Sequence, residues 1–395
     1  MIAVLSALLV AGTVRADDTA NARVFALPQG GELLVVSSPD AENVGVGLHV
    51  PGGWASPGAG PYAREAWESP VDAQTDLRQL QFAAPGLMVL RMEADHALLW
   101  VTGEDLDEGF ATLAEASVTR EHEFGVRYSG ALQGGAFRPA DVLWSELTGN
   151  APSEKLEDVE SSDLTAEVSR RTRAPGRVLV VVGDVEPDDA LALARRVLPP
   201  AREEGPPPAV SPLTWPDGDR VVHRSEVVNT WQTWAWPTVA PKDSRAPAAK
   251  LLWQLVQARV WTDVRESNGL TYHIESSESV GLAGTVCHLA IETPQEHAAK
   301  TRDLVDGVVQ ALATTPPSTA EVERARGQLL GPLATGQHGI GHIAQELATT
   351  RIRTGRWQTA DEQVAELAGV DAAAVQALAA TWLTGKERAY VRVEP

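Results

Sequence analysis

The sequence predicts an α+β protein built from two like domains, each a mostly antiparallel or mixed sheet with helices packed on one face. Three observations predict it. Short strand patterns and longer helical ones recur in the same order in the two halves: strands, a helix, strands, further helices and a closing strand. A proline-rich stretch at residues 201–216, carrying the acidic pair Glu203 and Glu204, separates the halves as a stiff linker. The length, 395 residues, suits two or three domains at a prior of roughly 150 residues each.

In the first half, residues 23–27, 32–36 and 44–50 read as strands, the first two joined by a turn at Gly30 and Gly31. Residues 52–70 begin rich in glycine and proline and then allow a short helix over 62–67. Strand patterns return at 87–93 and 96–102, and the acidic run that follows opens a helix, because carboxylates favour the first turn. Residues 121–160 show little periodicity, and a helix is expected near 163–171. The clearest unit is the apolar run 178–182, a buried strand, after which Pro187 opens a helix that Pro199 and Pro200 close. Gly183, between them, belongs to no phosphate-binding glycine pattern.

In the second half, strands are expected at 220–224 and 229–236. In the latter, Trp234 and Trp236 share one face and Trp231 takes the other, so one side is core and the other a contact surface. Leu252, Val256, Val260 and Val264 recur at every fourth position, the pattern of an amphipathic helix that delivers Arg265 to its C-terminal end. Asn268 and Gly269 suit a left-handed helix stop, and a short strand is expected over 270–274. The strand at 285–291 holds Cys287, the single cysteine, which excludes an internal disulfide and reads as a buried thiol. Thr293 with Glu296, and Ser318 with Glu321, both spell capping boxes. Helices over 336–353 and 371–384 lead to a last strand at 390–393.

A net charge of −20 repels phosphate backbones and anionic lipid, so nucleic acid and membrane surfaces are excluded as partners and a basic peptide is compatible. No apolar run reaches the ~18 residues needed to span a bilayer. Residues 1–16 read as an export signal, with an apolar core at 2–10 and the small-residue ending Val14-Arg15-Ala16. They lack a Lys or Arg ahead of that core, and a misassigned start or an internal buried strand are the alternatives. The expected plan is therefore a signal at 1–16, a domain at 20–200, the linker, and a domain at 217–395, in an exported, periplasmic protein.

The chemically most specific stretch is VRESNGLTYHI, residues 264–274. Arg265 and Tyr272 bracket its turn, and a guanidinium and a phenol leaving one rigid helix-turn-strand unit can hold a carbonyl or a developing oxyanion. The alternative is an ordinary surface arginine and a half-buried tyrosine.

With its preceding residues, ARVWTDVRESNGLTYHI, this stretch resembles the second-domain signature of the insulinase-like metallopeptidase family, which includes the mitochondrial processing peptidase. VLVVVGDVEPDDALALARRVLP resembles the strand and helix that close the family's first domain, and residues 30–53 resemble its opening. The resemblance implies the two-domain fold and a central cavity in which Arg265 and Tyr272 assist at the substrate carbonyl. Active members carry His-x-x-Glu-His on the first-domain helix. Aligned on Glu65, this chain has Tyr62 and Ala66 where the histidines stand. A phenol and a methyl do not hold zinc under ordinary conditions, so no catalytic zinc is expected on this chain, and no activated water for amide hydrolysis. Some bacterial relatives work as unequal pairs, one subunit with the zinc motif and the other with the arginine and tyrosine. This chain resembles the second kind, and the implied partners are a zinc-containing subunit, as a heterodimer, and an extended peptide.

Three other constellations compete. His338, His342 and Glu346 share a helix face by spacing and offer an atypical metal site, without a glutamate adjacent to a histidine and with Gly339 and Gly341 weakening the first turn. His96 reads as a strand histidine facing solvent, and His273 and His288, on neighbouring strands, could meet as a titrating pair.

Overall fold

A computed structural model describes residues 22–28, 30–39, 41–53, 88–92, 96–117, 139–149, 170, 172–201, 213–225, 227–281, 284–334, 340–358 and 360–395. The signal expected at 1–16, the helix expected over 62–67 and most of the linker at 201–216 lie outside these residues. The chain divides into two compact units. Unit 1 comprises Met1–Gly134, Ser153–Ala209 and Pro332–Glu362, and unit 2 comprises Gly135–Pro152, Val210–Gly331 and Gln363–Pro395.

The sheet of unit 1 uses β1 (Ala22–Ala26), β2 (Glu32–Ser37), β3 (Val44–Pro51), β4 (Met88–Met92), β5 (His96–Gly103) and β6 (Val178–Gly183), in the order β1-β2-β6-β3-β5-β4. Its helices include α1 (Leu106–Ser117) and α3 (Pro187–Val197). In unit 2, β7 (Arg220–His223), β8 (Thr230–Thr238), β9 (His273–Gly281), β10 (Gly284–Thr293) and β11 (Ala389–Glu394) form a sheet ordered β7-β11-β8-β10-β9. Around it stand α4 (Ala246–Val260), α5 (Ala298–Thr314), α6 (Thr319–Ala334) and α9 (Ala372–Trp382), with α8 (Ala360–Ala368) before the last.

The repeated order of elements is a repeated topology. The series β2-β6-β3-β5-β4 and β7-β11-β8-β10-β9 match strand for strand. Each begins with one parallel pair, β2 with β6 and β7 with β11, and every later pair is antiparallel. A mixed sheet of this kind needs a long crossover before its parallel closing strand. That explains why β6 and β11 come last in their halves.

Two helices cross between the halves, which the sequence pattern does not announce. Unit 1 contains α7 (Ile340–Thr354) from the second half of the chain, and unit 2 contains α2 (Pro139–Thr148) from the first. Helix α7 packs on β3 and β6, and α2 on β8, β10 and β11. As β3 corresponds to β8 and β6 to β11, each helix covers the matching part of a sheet.

The exchange explains the composition of the strands. On β2, Leu33 and Val35 enter one core with α1 and α3, while Leu34 and Val36 enter a second core with Ala344, Leu347 and Ala348 of α7. On β6, Leu179 and Val181 face the first core and Val178, Val180 and Val182 the second. Both faces are buried, so the strands read as unbroken apolar runs rather than alternating ones. Arg177, at the start of β6, is fully buried and fastens three segments through backbone carbonyls, donating to Gly30 (3.2 Å), Thr172 (2.7 Å) and Pro199 (2.5 Å). Burial, with Arg173 nearby, pushes its pKa down to about 10, which leaves it charged at neutral pH.

In unit 2, Trp234 and Trp236 of β8, Cys287, Leu289 and Ile291 of β10 and Tyr390 of β11 form the main core with the inward stripes of α4, α5, α6 and α9. Trp231 stays half-buried on the opposite face, as its alternation predicts. Cys287 is buried, and desolvation, with the charge of Glu278, raises its pKa far above that of a free thiol. Among the described residues no single helix is long and apolar enough to cross a membrane.

Candidate functional site

Helix α4 carries its buried stripe, Leu252, Val256, Val260 and Val264, into a π-helical turn over Trp261–Glu266. The Ser267 N–H donates to the Thr262 carbonyl five residues back at 2.8 Å, and the Asn268 amide donates to the Asp263 carbonyl at 2.8 Å. One residue more per turn re-aims the side chains that follow, and such π-turns are frequent at functional sites. Gly269, at φ +62°, ends the helix as its sequence predicts. Its N–H donates to the Arg265 carbonyl and the Leu270 N–H to the Val264 carbonyl, both at 3.0 Å.

Arg265 leaves the helical limb of this turn partly buried, its guanidinium 4.2 Å from the centre of the Trp261 ring. The Trp261 indole donates to Glu266 at 3.2 Å, which holds the ring beneath the arginine. With the ring against its central carbon, the guanidinium keeps N–H donors that can serve a carbonyl or carboxylate.

Tyr272 leaves the other limb and is 90% exposed, and among the described residues its hydroxyl has no hydrogen-bond partner. Its outward direction follows from its neighbours. Leu270 is sunk in the unit 2 core, and Thr271 is buried. The Thr271 hydroxyl donates to the Glu292 carbonyl and accepts the His273 N–H at 3.0 Å, while the Thr293 hydroxyl donates to the Leu270 carbonyl at 2.9 Å. These bonds correct two expectations. The strand expected over 270–274 begins only at His273, because Thr271 bonds through its side chain where a ladder would otherwise start. Thr293 makes no capping box with Glu296: its hydroxyl is spent on Leu270, and a short 3-10 turn, Gln295–His297, leads into α5 without a side-chain cap.

Arg265 and Tyr272 thus stand on the two limbs of one rigid turn, and no hydrogen bond joins them among the described residues. His273 and His288 do not meet. His273 is paired across from Glu292, contacts Glu275 at 2.7 Å and meets the Trp231 ring edge-on at 5.2 Å, whereas His288 pairs across from Ser277, whose hydroxyl lies 3.0 Å from its Nδ1. Sequence reasoning missed Trp261, Thr271 and Thr293. The first was legible as an aromatic four residues before the arginine; the hydroxyl pairing of the others depends on strand register.

Tyr62, Glu65, Ala66 and His338 lie outside the described residues. Of His342 and Glu346 the structure describes only the backbone, on α7, and of His96 only its place at the start of β5. The donor set Tyr62, Glu65 and Ala66 does not fit zinc, since it offers one carboxylate in place of the usual imidazoles. Among the described residues no three His, Cys, Asp or Glu side chains form a group able to hold a metal ion.

Residues 161–329 match the family described as the peptidase M16 inactive domain. No curated protein sequence matches the chain. Among solved structures, it is similar to the peptidase M16 inactive domain from Pseudomonas fluorescens, at 17% identity and a TM-score of 0.75 over 95% of this chain and 98% of that one. It is similar to a chain of Complex III2 from Candida albicans, at 13% identity and a TM-score of 0.72 over 94% and 95%. It also resembles the periplasmic protease PqqL from Escherichia coli, at 16% identity and a TM-score of 0.66, where it covers 95% of its own length and 45% of that chain. At such identities the likeness is one of fold.

Proposed function

We propose that the protein is the non-catalytic member of an unequal peptidase pair, a reading supported by the match of residues 161–329 to the peptidase M16 inactive domain and by the fold the chain shares with such a domain over 95% of its length. In this reading a zinc-bearing M16 subunit supplies the metal and the activated water, and this chain presents Arg265 and Tyr272 to the peptide. The observation that carries it is the Arg265 turn, which holds a guanidinium against the Trp261 ring and an outward phenol on its two limbs. Donors fixed in advance where a carbonyl gains negative charge stabilise the transition state more than the ground state. The acidic surface favours basic peptides, and an export signal at 1–16 would place the pair in the periplasm.

Co-purification with an M16 chain carrying His-x-x-Glu-His tests this directly. Alone, the protein should cleave no peptide and hold no stoichiometric zinc; paired, it should raise cleavage of a quenched fluorescent peptide mixture, and Arg265→Ala should lower the paired rate by about 10²-fold, the scale of one oxyanion donor. Unimpaired stimulation by the Arg265→Ala, Tyr272→Phe double variant would sink the role.

A scaffold without hydrolytic purpose is the second reading, and the likeness to a chain of Complex III2 favours it. It predicts stable assembly with no change in peptide cleavage. An autonomous peptidase using His338, His342 and Glu346 is the third, and finding no zinc in the pure chain would exclude it.

A further inference from the structure

We propose that Thr271 and Thr293 are positioning residues for Tyr272, two hydroxyl pins that fasten the outward tyrosine to β10; the proposal rests on the role given to Tyr272 above.

Both threonines are buried, at 4% and 0% exposure. A hydroxyl taken out of water costs free energy unless it is bonded, and valine would fill the same volume without that cost. Both hydroxyls are bonded, and to the same place. Thr293 holds the Leu270 carbonyl, the second peptide group before Tyr272, and Thr271 holds the His273 N–H, the peptide group after it. A threonine hydroxyl accepting the N–H two residues on closes a side-chain turn, and Tyr272 is the middle residue of that turn. The Thr271 hydrogen then goes to the carbonyl of Glu292, the neighbour of Thr293.

The anchor is rigid. Ile291 is fully buried, β10 is paired on both sides along its length, and the Glu292 side chain accepts from Asn229 at 3.0 Å. The limb carrying Arg265 ends in the same residues, since the Leu270 N–H bonds back to the Val264 carbonyl. Pinning residues 270–273 to β10 therefore fixes where Tyr272 starts relative to Arg265, while leaving its side chain in solvent. A donor must sit within a fraction of an ångström of its target to act at a transition state, so a looser turn costs rate rather than binding.

The test uses Thr271→Val, Thr271→Ser, Thr293→Val and Tyr272→Phe in the full chain, paired with the zinc-bearing M16 subunit and assayed on the quenched fluorescent peptide mixture. Thr271→Val should lower kcat by about tenfold with KM unchanged, Thr293→Val should act in the same direction, and Thr271→Ser should restore the rate. In the isolated chain, amide exchange at His273 should accelerate in Thr271→Val and recover in Thr271→Ser. Adding Thr271→Val to Tyr272→Phe should cost nothing further, because the pin acts through the hydroxyl already removed. A Tyr272→Phe variant that loses kcat beside a folded Thr271→Val that keeps it overturns the pin and leaves the proposed function standing. Full activity of Tyr272→Phe overturns the function and the pin with it.

Discussion

Arg351 grips Glu32 at two points, Nε to Oε2 and Nη2 to Oε1, each at 2.6 Å, across 319 residues of sequence. Arg351 lies on α7, which comes from the second half of the chain, and Glu32 opens β2 at the other end of it. Planar two-point pairing is both directional and charge-assisted, and the hydrogen bonds to the Glu32 carboxylate raise the Arg351 pKa. Both side chains are largely shielded, at 24% and 31% exposure. Arg351→Ala should therefore lower unfolding stability by about 1.5–3 kcal/mol, the range for bonds to charged groups. Lysine should restore only part of the loss, since an ammonium cannot make the fork. Urea denaturation of Arg351→Ala, Glu32→Gln and the double variant measures the coupling, and strict additivity would mean the pair contributes nothing.

Gly47 and Trp100 sit opposite each other on β3 and β5, and the indole lies flat over the strand where Gly45 and Gly47 have no side chains. A Cβ at Gly47 would stand 2.5 Å from the ring. Gly47→Ala should cost about 1–3 kcal/mol through overpacking. Gly307, inside α5, meets nothing within 4 Å, and Gly307→Ala should instead stabilise by about 0.5–1 kcal/mol through helix propensity. Thermal denaturation of both variants should give shifts of opposite sign.

Asp243 accepts from the Arg245 backbone N–H at 2.8 Å and from its guanidinium at 3.0 and 2.7 Å, just ahead of α4. The Arg245 side chain first, and its backbone N–H second, hold the carboxyl down at about 2, against about 3.9 in an unfolded chain. A carboxyl depressed on folding stabilises the fold above its unfolded pKa, and that contribution fades as pH falls from about 4 towards 2. Asp243→Asn should therefore be less stable than the parent at pH 6, and most of the gap should be gone at pH ~2. Urea midpoints at the two pH values decide it; a gap independent of pH would remove the carboxylate from the account.

Much of this architecture is legible because local rules and packing agree. Ser318 and Glu321 form the capping box their spacing spells, with the Ser318 N–H donating to Glu321 at 2.9 Å and the Glu321 N–H to the Ser318 hydroxyl at 3.3 Å. Thr293 and Glu296 have the same spacing and form none, because Thr293 is placed by strand pairing beside Leu270 and its hydroxyl goes there. Local pattern cannot weigh a partner 23 residues away. Helix α2 was hidden for a related reason: its buried Leu143, Trp144 and Leu147 face a sheet made by the other half of the chain. Arg265 and the Gly269 stop were readable from the helix stripe. The start of β9 at His273 depended on a side-chain turn and was not.

Gly269 lies where the two limbs of the site meet, so its backbone tests them together. It has φ +62° and open space around its missing Cβ. An alanine would meet no clash and would still pay the left-handed cost of about 1–2 kcal/mol, which asparagine partly escapes by bonding locally. Gly269→Ala should lower stability by about 1 kcal/mol and Gly269→Asn by less. The function predicts a second effect. Relaxing the turn breaks the bonds from Gly269 to Arg265 and from Leu270 to Val264, so Gly269→Ala should reduce paired cleavage more than a core variant of equal stability loss, such as Val305→Ala tuned by temperature. Equal activity at equal stability would show that the turn serves folding alone, and would leave Arg265 and Tyr272 as surface residues of a scaffold.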